Sequence, residues 1–218
     1  DSSQHVWNVA TAINLLSGVM SALNVMFMFW IITHLARKVV KTEENGEYST
    51  GNLIAMMGAG LVGALAMCWS DTFWFSAVEA EVYASSSFFT FLVFWAILKW
   101  ENTADEKRAD RWLILIGYFT GLAIGVHLLN LLVIPSLVLV YYFRKYEVTR
   151  MGLIKAVLAS VAILGFVNFI LIPWLPMLAA KFDLFFVNTL GMSFGSGVVV
   201  FVITFVALLV FSILYSIE

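Results

Sequence analysis

Charged residues are scarce in this chain. Asp, Glu, Lys and Arg make up only 12% of its 218 residues, whereas hydrophobic residues make up 62%, and the mean hydropathy is +0.95. A typical soluble domain is about one quarter charged and close to one half apolar. The composition therefore excludes a soluble globular domain and predicts an integral membrane protein.

Cysteine and nucleotide-binding motifs are also nearly or wholly missing. The single cysteine, Cys68, lies inside an apolar run, which excludes an intramolecular disulfide and a metal site built on cysteines. The sequence has no Walker pattern and no glycine-rich phosphate-binding loop. The formal net charge of −2 says little by itself, and nothing in the sequence indicates a nucleic-acid partner.

Long apolar runs dominate the sequence. A helix needs about 20 apolar residues to span a membrane, and seven runs approach this length: 10–35, 52–70, 78–100, 111–125, 128–143, 151–172 and 197–217. Helices are expected because unpaired backbone groups are not tolerated in lipid and because the alternation of a barrel strand is absent. The prediction is an all-α, polytopic bundle of about seven spanning helices that forms a single transmembrane domain over 1–218.

The basic residues occur almost only on alternate loops. Eleven of the twelve Lys and Arg residues follow the first run or bracket the loops after the third and fifth runs: Arg37, Lys38, Lys41, Lys99, Lys107, Arg108, Arg111, Arg144, Lys145, Arg150 and Lys155. Positive charge is retained in the cytoplasm during insertion, so the opposite loops are expected outside. The polar residues assigned to this outer face are Asp71, Glu79, Glu81, His127, Lys181 and Asp183.

The start of the chain predicts a fragment. Residues 1–8 are polar, lack the basic region of a signal peptide and lead into a run longer than the hydrophobic region of such a peptide. The first helix must nevertheless begin outside. We therefore expect an upstream spanning segment to be missing, and the chain to be incomplete at its C-terminus as well.

Several runs carry features that predict local structure. The fourth and fifth runs reach only about 23 Å as helices, against a hydrocarbon core of about 30 Å, so the turn at 125–127 is expected below the outer surface. The segment 173–197 is expected to form an interfacial helix that glycines then break. This segment is either a simple linker or a flexible lid or groove for a lipid donor.

Small residues of the second run predict close helix packing: Gly58, Gly60, Gly63, Ala64 and Ala66. Tryptophans near run ends predict an interfacial belt: Trp7, Trp30, Trp69, Trp74, Trp100, Trp112 and Trp174.

The most concentrated polar signal is the segment 70–83, which reads Ser-Asp-Thr-Phe-Trp-Phe-Ser-Ala-Val-Glu-Ala-Glu-Val-Tyr. Its three carboxylates, Asp71, Glu79 and Glu81, have no basic partner in the segment, and acids near a bilayer are costly unless they are paired, metal-bound or functional. Ser76 and Glu79 match a capping box, which would make Glu79 a structural residue at a helix start. Glu81 lies outside that pattern, about 200° around a helix from Glu79. If both acids serve one site, the backbone there must be extended.

His127 and Asn130 form a second candidate pair. A lone histidine is more often a hydrogen-bonded turn residue than a ligand, but a spacing of three places Asn130 on the same helical face. Histidine can position a phosphate or help to bind a metal near neutral pH. His5 and His34 have no such companion and stay unassigned.

Three segments resemble one known family. They read Asn-Leu-Leu-Ser at 14–17, Trp-Phe-Ser-Ala-Val-Glu-Ala-Glu-Val-Tyr at 74–83, and Gly-Leu-Ala-Ile-Gly-Val-His-Leu-Leu-Asn at 121–130 with a later Pro135. In this order they resemble a bacterial membrane family of formerly unknown function that is related to the protein O-mannosyltransferases. That family belongs to the GT-C glycosyltransferase superfamily.

The resemblance implies a GT-C-like glycosyltransferase in the bacterial inner membrane, with its active site facing the periplasm. It would transfer a sugar from a polyprenyl-phosphate carrier, with mannose as the first candidate, to an acceptor, with protein hydroxyls as the first candidate and a glycan as the alternative. Membrane lipid is the other expected partner. The acid that such enzymes carry in an earlier external loop has no counterpart here, so the fragment alone is expected to be inactive.

The residues expected to carry this chemistry lie on the predicted outer face. The catalytic candidates are Glu81, Glu79 and His127, and the candidate substrate contacts are Asn130, Asp71, Tyr83 and Lys181. Some relatives bind a divalent metal through paired acids at the place of Glu79 and Glu81, and others work without one. A site for Mg²⁺ or Mn²⁺ at these two glutamates is therefore one alternative, and catalysis without a metal is the other.

Two functions from other classes are alternatives to this one. A polytopic transporter would show internal repeats and helices broken at mid-membrane, whereas the sequence has no convincing repeat and its acids cluster near one face. A noncatalytic, lipid-binding membrane scaffold that keeps the same fold is the second alternative.

Overall fold

A computed structural model describes residues 2–42, 46–79 and 81–217. Regular structure in these residues is helical, with no β-strand among them, which confirms the predicted all-α class. The α-helices are α1 (Ser2–Val39), α2 (Thr50–Cys68), α3 (Asp71–Val78), α4 (Val82–Thr103), α5 (Asp110–Val126), α6 (Val133–Lys145), α7 (Arg150–Phe166), α8 (Ile172–Leu190) and α9 (Ser196–Ile217). Contacts divide the chain into two compact units, Asp1–Val157 and Leu158–Glu218.

The seven predicted spans all fall on helices. Five helical segments of the described residues are long and apolar enough to cross a membrane: Val9–Val39, Thr50–Cys68, Val82–Thr103, Leu128–Lys145 and Arg150–Leu190. The other two runs correspond to α5, which has 17 residues, and to α9, whose described apolar part is Ser196–Ser212. The chain is a multi-pass membrane protein in which five of the seven runs reach full spanning length.

Two helix boundaries differ from the prediction because of a break or an irregular turn, and α1 also begins at Ser2 instead of residue 10. The third run does not start at residue 78, because α3 ends at Val78 and α4 begins at Val82. The sixth run does not end at residue 172, because α7 continues through a π-helical turn, Val167–Leu171, into α8. In this turn the N–H of Ile172 donates to the carbonyl of Val167, and Pro173 then occupies the start of α8, where a missing N–H is tolerated.

Within the first unit, α1 and α4 run in the same direction. Near the start of α4, the side-chain amide of Asn24 donates to the carbonyl of Ala84 at 3.2 Å. Near its end, Lys38 forms an ion pair with Glu101. Both helices therefore begin at one end of this unit and finish at the other, as expected for two spans that are separated by one returning span.

The core of the first unit forms around one face of α4. Residues at helical spacing on this face are at most 1% exposed: Val93, Ala96, Ile97 and Trp100. They pack against Ile116 of α5 and Val133 of α6. Trp100 also stacks on Tyr141, with 5.1 Å between ring centroids. Trp100 is therefore a core residue, and its predicted position at the depth of the interfacial belt stays a prediction.

Glycines of α2 allow close approach to α1. A Cβ atom at Gly60 would overlap the hydroxyl of Thr33 and lie 3.1 Å from the carbonyl oxygen of Phe29, and a Cβ atom at Gly63 would overlap the side chain of Ile32. These contacts confirm the predicted packing role of small residues at these two positions. Gly58 has nothing within 4 Å of the corresponding point.

In the second unit, Asp183 of α8 caps the start of α9. Its carboxylate is 4% exposed and accepts the backbone N–H groups of Gly195 at 3.1 Å, Gly197 at 2.9 Å and Val198 at 3.4 Å. N–H groups at a helix start lack partners within the helix and attract negative charge. Asp183, one of the acids assigned to the outer face, is therefore a structural residue.

Candidate active site

The acid-rich segment folds as a short helix, a break and the start of a longer helix. α3 covers Asp71–Val78, with Asp71 in its first turn, where a negative charge is favourable. The backbone at Glu79 is extended, with φ −93° and ψ 140°. The backbone at Glu81 is extended as well, with φ −114° and ψ 165°. Both glutamates thus have extended backbone, and whether they serve one site stays a prediction.

The predicted capping box at Ser76 and Glu79 is wrong. Ser76 lies near the end of α3, where its hydroxyl donates to the carbonyl of Thr72 at 3.1 Å. Glu79 ends the same helix, and its backbone N–H donates to the carbonyl of Phe75 at 3.1 Å. The pattern fails because the helix precedes Ser76 instead of following it. Glu79 is therefore not held by an N-terminal capping role.

Glu81 occupies the cap position of α4, but its side chain makes no capping hydrogen bond. Both glutamates are exposed, and neither carboxylate has a hydrogen bond or an ion pair in the part of the chain that the structure describes. Within the described residues, both carboxylates are therefore available to contact a ligand.

His127 lies at the turn that follows α5. Its N–H donates to the carbonyl of Ala123 at 3.0 Å, which ends the helix. Its ring atom Nδ1 accepts the N–H of Leu129 at 3.2 Å, at the start of a short 3₁₀ helix, Leu128–Leu132. Because Nδ1 accepts, the neutral ring carries its proton on Nε2, which is left to donate to a ligand.

Tyr83 connects the two parts of the site. Its ring lies 5.9 Å from the ring of His127, measured between centroids, with an interplanar angle of 50°. Tyr83 is 52% exposed and follows Glu81 by two residues at the start of α4. The structure thus brings the segment that carries Glu81 to the turn that carries His127.

Asn130 holds this turn in place. It is 2% exposed, and its Oδ1 accepts the hydroxyls of Ser86 at 3.0 Å and Thr90 at 2.7 Å, both from α4. Its Nδ2 donates to the carbonyl of Ala123 at 2.6 Å. The amide therefore joins α4, α5 and the 3₁₀ helix, and its predicted contact with substrate stays a prediction beside this positioning role.

Ser86 and Thr90 are site residues that the sequence prediction missed. They lie four residues apart on one face of α4, and this spacing in an otherwise apolar helix was the available signal. Hydroxyls in membrane helices also bond to their own backbone, so the spacing alone does not identify their partner.

The other two candidates, Asp71 and Lys181, make none of the contacts described above. Asp71 is exposed at the start of α3, and Lys181 is exposed on α8 of the second unit. The predicted substrate contacts of both residues stay predictions.

An apolar groove lies beside the acidic segment. It has a volume of about 320 Å³ and is lined by residues of α1, the end of α2, and α3: Gly18, Ser21, Ala22, Val25, Cys68, Phe73, Trp74, Ala77 and Val78. The α3 residues of this lining lead directly to Glu79. The groove therefore offers an apolar surface within one turn of the carboxylates.

The donor atoms at the site limit which metals it can hold. Among the described residues, no group of three or more His, Cys, Asp and Glu side chains is placed to bind a metal ion. Glu79 and Glu81 could supply two carboxylate ligands, which suits Mg²⁺ when substrate phosphate and water complete the coordination. Two carboxylates would leave the remaining coordination positions to other ligands, and the predicted metal site at Glu79 and Glu81 stays a prediction.

The sequence model of one protein family matches residues 3–150 of the chain. Its description is protein O-mannosyl-transferase TMEM260 N-terminal domain. No curated protein and no solved structure matches the chain. The matched range includes Glu79, Glu81, Tyr83, His127 and Asn130.

Proposed function

The chain belongs to the protein O-mannosyl-transferase TMEM260 N-terminal domain family, and we propose that the full-length protein that contains it transfers mannose from a polyprenyl-phosphate carrier to protein hydroxyl groups. The reaction takes place between the start of α4 and the His127 turn. The end of the protein that carries the start of α4 and the His127 turn faces the periplasm from the bacterial inner membrane. The observation that carries the proposal is the contact of Tyr83 with His127, because it brings the segment that carries Glu81 to the turn that carries His127.

In the proposed reaction, the oxygen of the acceptor hydroxyl attacks the anomeric carbon of the sugar. The bond from that carbon to the phosphate oxygen breaks, and its electron pair leaves with the polyprenyl phosphate. The hydroxyl proton passes to the carboxylate of Glu81, which is exposed and unpaired within the described residues. The Nε2–H group of His127 donates to the departing phosphate and stabilises its developing charge.

The apolar groove beside α3 accommodates the beginning of the prenyl chain. The groove suits a lipid-like ligand because its lining is almost entirely apolar. Apolar pockets with a few polar groups at one end are typical ligand sites. A carrier bound there would place its phosphate near Glu79, Glu81 and His127. A single bound orientation of the carrier would thus serve both the lipid chain and the phosphate.

Glu79 and Glu81 would be the ligands if a divalent metal takes part. Bound Mg²⁺ or Mn²⁺ would supply positive charge to the departing phosphate. In that case His127 and Tyr83 would still position the phosphate and the sugar. Loss of transfer in the presence of a chelator, with recovery on addition of Mg²⁺ or Mn²⁺, would select the metal-dependent alternative.

The Glu81→Gln variant tests the proposal. In the full-length protein that contains this chain, we expect transfer of labelled mannose from a prenyl-phosphate donor in membranes to fall by about 10²–10⁴-fold, because an amide cannot accept the hydroxyl proton. The matched control is Glu106→Gln, which removes an exposed carboxylate from the loop at the other end of α4 and should leave transfer unchanged. Transfer by Glu81→Gln at the wild-type rate would contradict the site. Prenyl-phosphate binding without transfer by the wild type would favour a noncatalytic scaffold.

A further inference from the structure

A second cavity lies between α1 and α4, far from the acidic segment. It has a volume of about 270 Å³, and its lining includes Trp30, Thr33, His34, Arg37, Trp95 and Lys99. We call it the basic cavity. Lys99 lies about five helical turns beyond Glu81 on α4, or about 27 Å along the helix. The basic cavity is therefore separate from the proposed transfer site.

The basic cavity has an excess of positive charge. Within the described residues, neither Arg37 nor Lys99 has an ion pair with a carboxylate. The nearby carboxylate of Glu101 is already engaged by Lys38 and lies 3.8 Å from Nε2 of His34. Two cations at the cavity thus have no carboxylate partner in the described part of the protein.

Aromatic rings form one wall of the cavity. The rings of Trp30 and Trp95 lie 6.1 Å apart between centroids, and Nζ of Lys99 lies 5.4 Å from the centroid of the Trp95 ring. Trp30 is 41% exposed. Tryptophans of membrane proteins concentrate at the level of the lipid headgroups. This wall therefore places the cavity at the membrane–water boundary on the side of the basic loops.

Basic pockets between membrane helices on the cytoplasmic side are suited to the phosphate of anionic lipid headgroups. We infer that the basic cavity binds the phosphodiester group of an anionic lipid from the cytoplasmic leaflet. Arg37 and Lys99 contact the phosphate, and the indole rings of Trp30 and Trp95 pack against the glycerol and the start of the acyl chains. This site does not depend on the proposed sugar transfer.

The test compares lipid-induced stabilisation of the intact protein in a zwitterionic detergent. We expect short-chain phosphatidylglycerol to raise Tm, whereas phosphatidylcholine of the same chain length and inorganic phosphate do not. In the Arg37→Gln/Lys99→Gln variant, the phosphatidylglycerol concentration for half of the shift should rise about thirtyfold, since each cation near an anionic lipid contributes about 1 kcal/mol. The control Lys41→Gln/Lys107→Gln removes two exposed cations from the same predicted side and should keep the wild-type midpoint.

Three results would overturn the inference. They are an equal shift with phosphatidylcholine, a wild-type midpoint in Arg37→Gln/Lys99→Gln, and an equal shift with inorganic phosphate, which would assign the cavity to a soluble anion. If the double variant fails to fold, native mass spectrometry of the wild type decides instead. Retention of phosphatidylglycerol over phosphatidylcholine is then expected, and equal retention of the two lipids would reject the site.

Discussion

The candidate site shows how far single residues can be interpreted from sequence. Glu79 and Glu81 were identified because no basic residue accompanies them, and both carboxylates are unpaired within the described residues. The capping role of Glu79 was wrong because a four-residue pattern does not show whether the helix lies before or after it. The partners of Asn130 could not be predicted, since Ser86 and Thr90 reach it only through the packing of α4 against the 3₁₀ helix.

Asn130 is expected to contribute stability through its side-chain hydrogen bonds. In Asn130→Ala, the hydroxyls of Ser86 and Thr90 lose their buried acceptor, and we expect the free energy of unfolding to fall by about 1–3 kcal/mol. Unfolding in mixed micelles measures this change. The control Asn188→Ala removes an exposed amide from α8 and should change stability by less than about 0.5 kcal/mol. Equal effects of the two substitutions would contradict the role assigned to Asn130.

At the scale of elements, the lengths of the apolar runs predicted which segments are helical better than they predicted where the helices begin and end. All seven runs are helical in the described residues, because apolar length and backbone satisfaction in lipid act along the whole segment. Two ends were misplaced where a local feature intervened, namely the break between α3 and α4, and the π-helical turn before Pro173. Neither the break nor the π-helical turn changes the mean hydropathy of the run in which it lies. The length and composition of a run therefore do not predict either feature.

The contact between α1 and α2 predicts that alanine substitutions at two glycines of α2 have different effects on stability. In Gly60→Ala, the new methyl group would overlap Thr33 and crowd the backbone of Phe29, and we expect a loss of about 1–3 kcal/mol in unfolding free energy. Gly58→Ala meets nothing within 4 Å and should be neutral or more stable by up to about 1 kcal/mol, because alanine favours a helix. Unfolding in mixed micelles again measures both variants. The packing interpretation fails if Gly60→Ala is as stable as Gly58→Ala.

At the scale of the whole molecule, charge distribution and helix direction support the same topology. The alternation of basic loops predicts that α1 and α4 cross the membrane in the same direction, and the contacts of Asn24 with Ala84 and of Lys38 with Glu101 show that they are parallel. The family match over residues 3–150 agrees with the resemblance seen in the motifs at 74–83 and 121–130. The contact of Tyr83 with His127 could not be predicted from composition, because 44 residues separate the two along the chain.

The most direct test of the account measures sugar transfer by the full-length protein that contains this chain, as Glu81→Gln, His127→Phe and the double variant. Phenylalanine keeps an aromatic ring next to Tyr83 but removes the N–H donor. The account predicts that each single substitution lowers the transfer rate by about 10²–10⁴-fold, and that the double variant is at most about tenfold slower than the slower single variant, because residues acting as a unit are strongly non-additive. Wild-type rates in folded single variants, or losses that multiply fully in the double variant, would contradict a shared site.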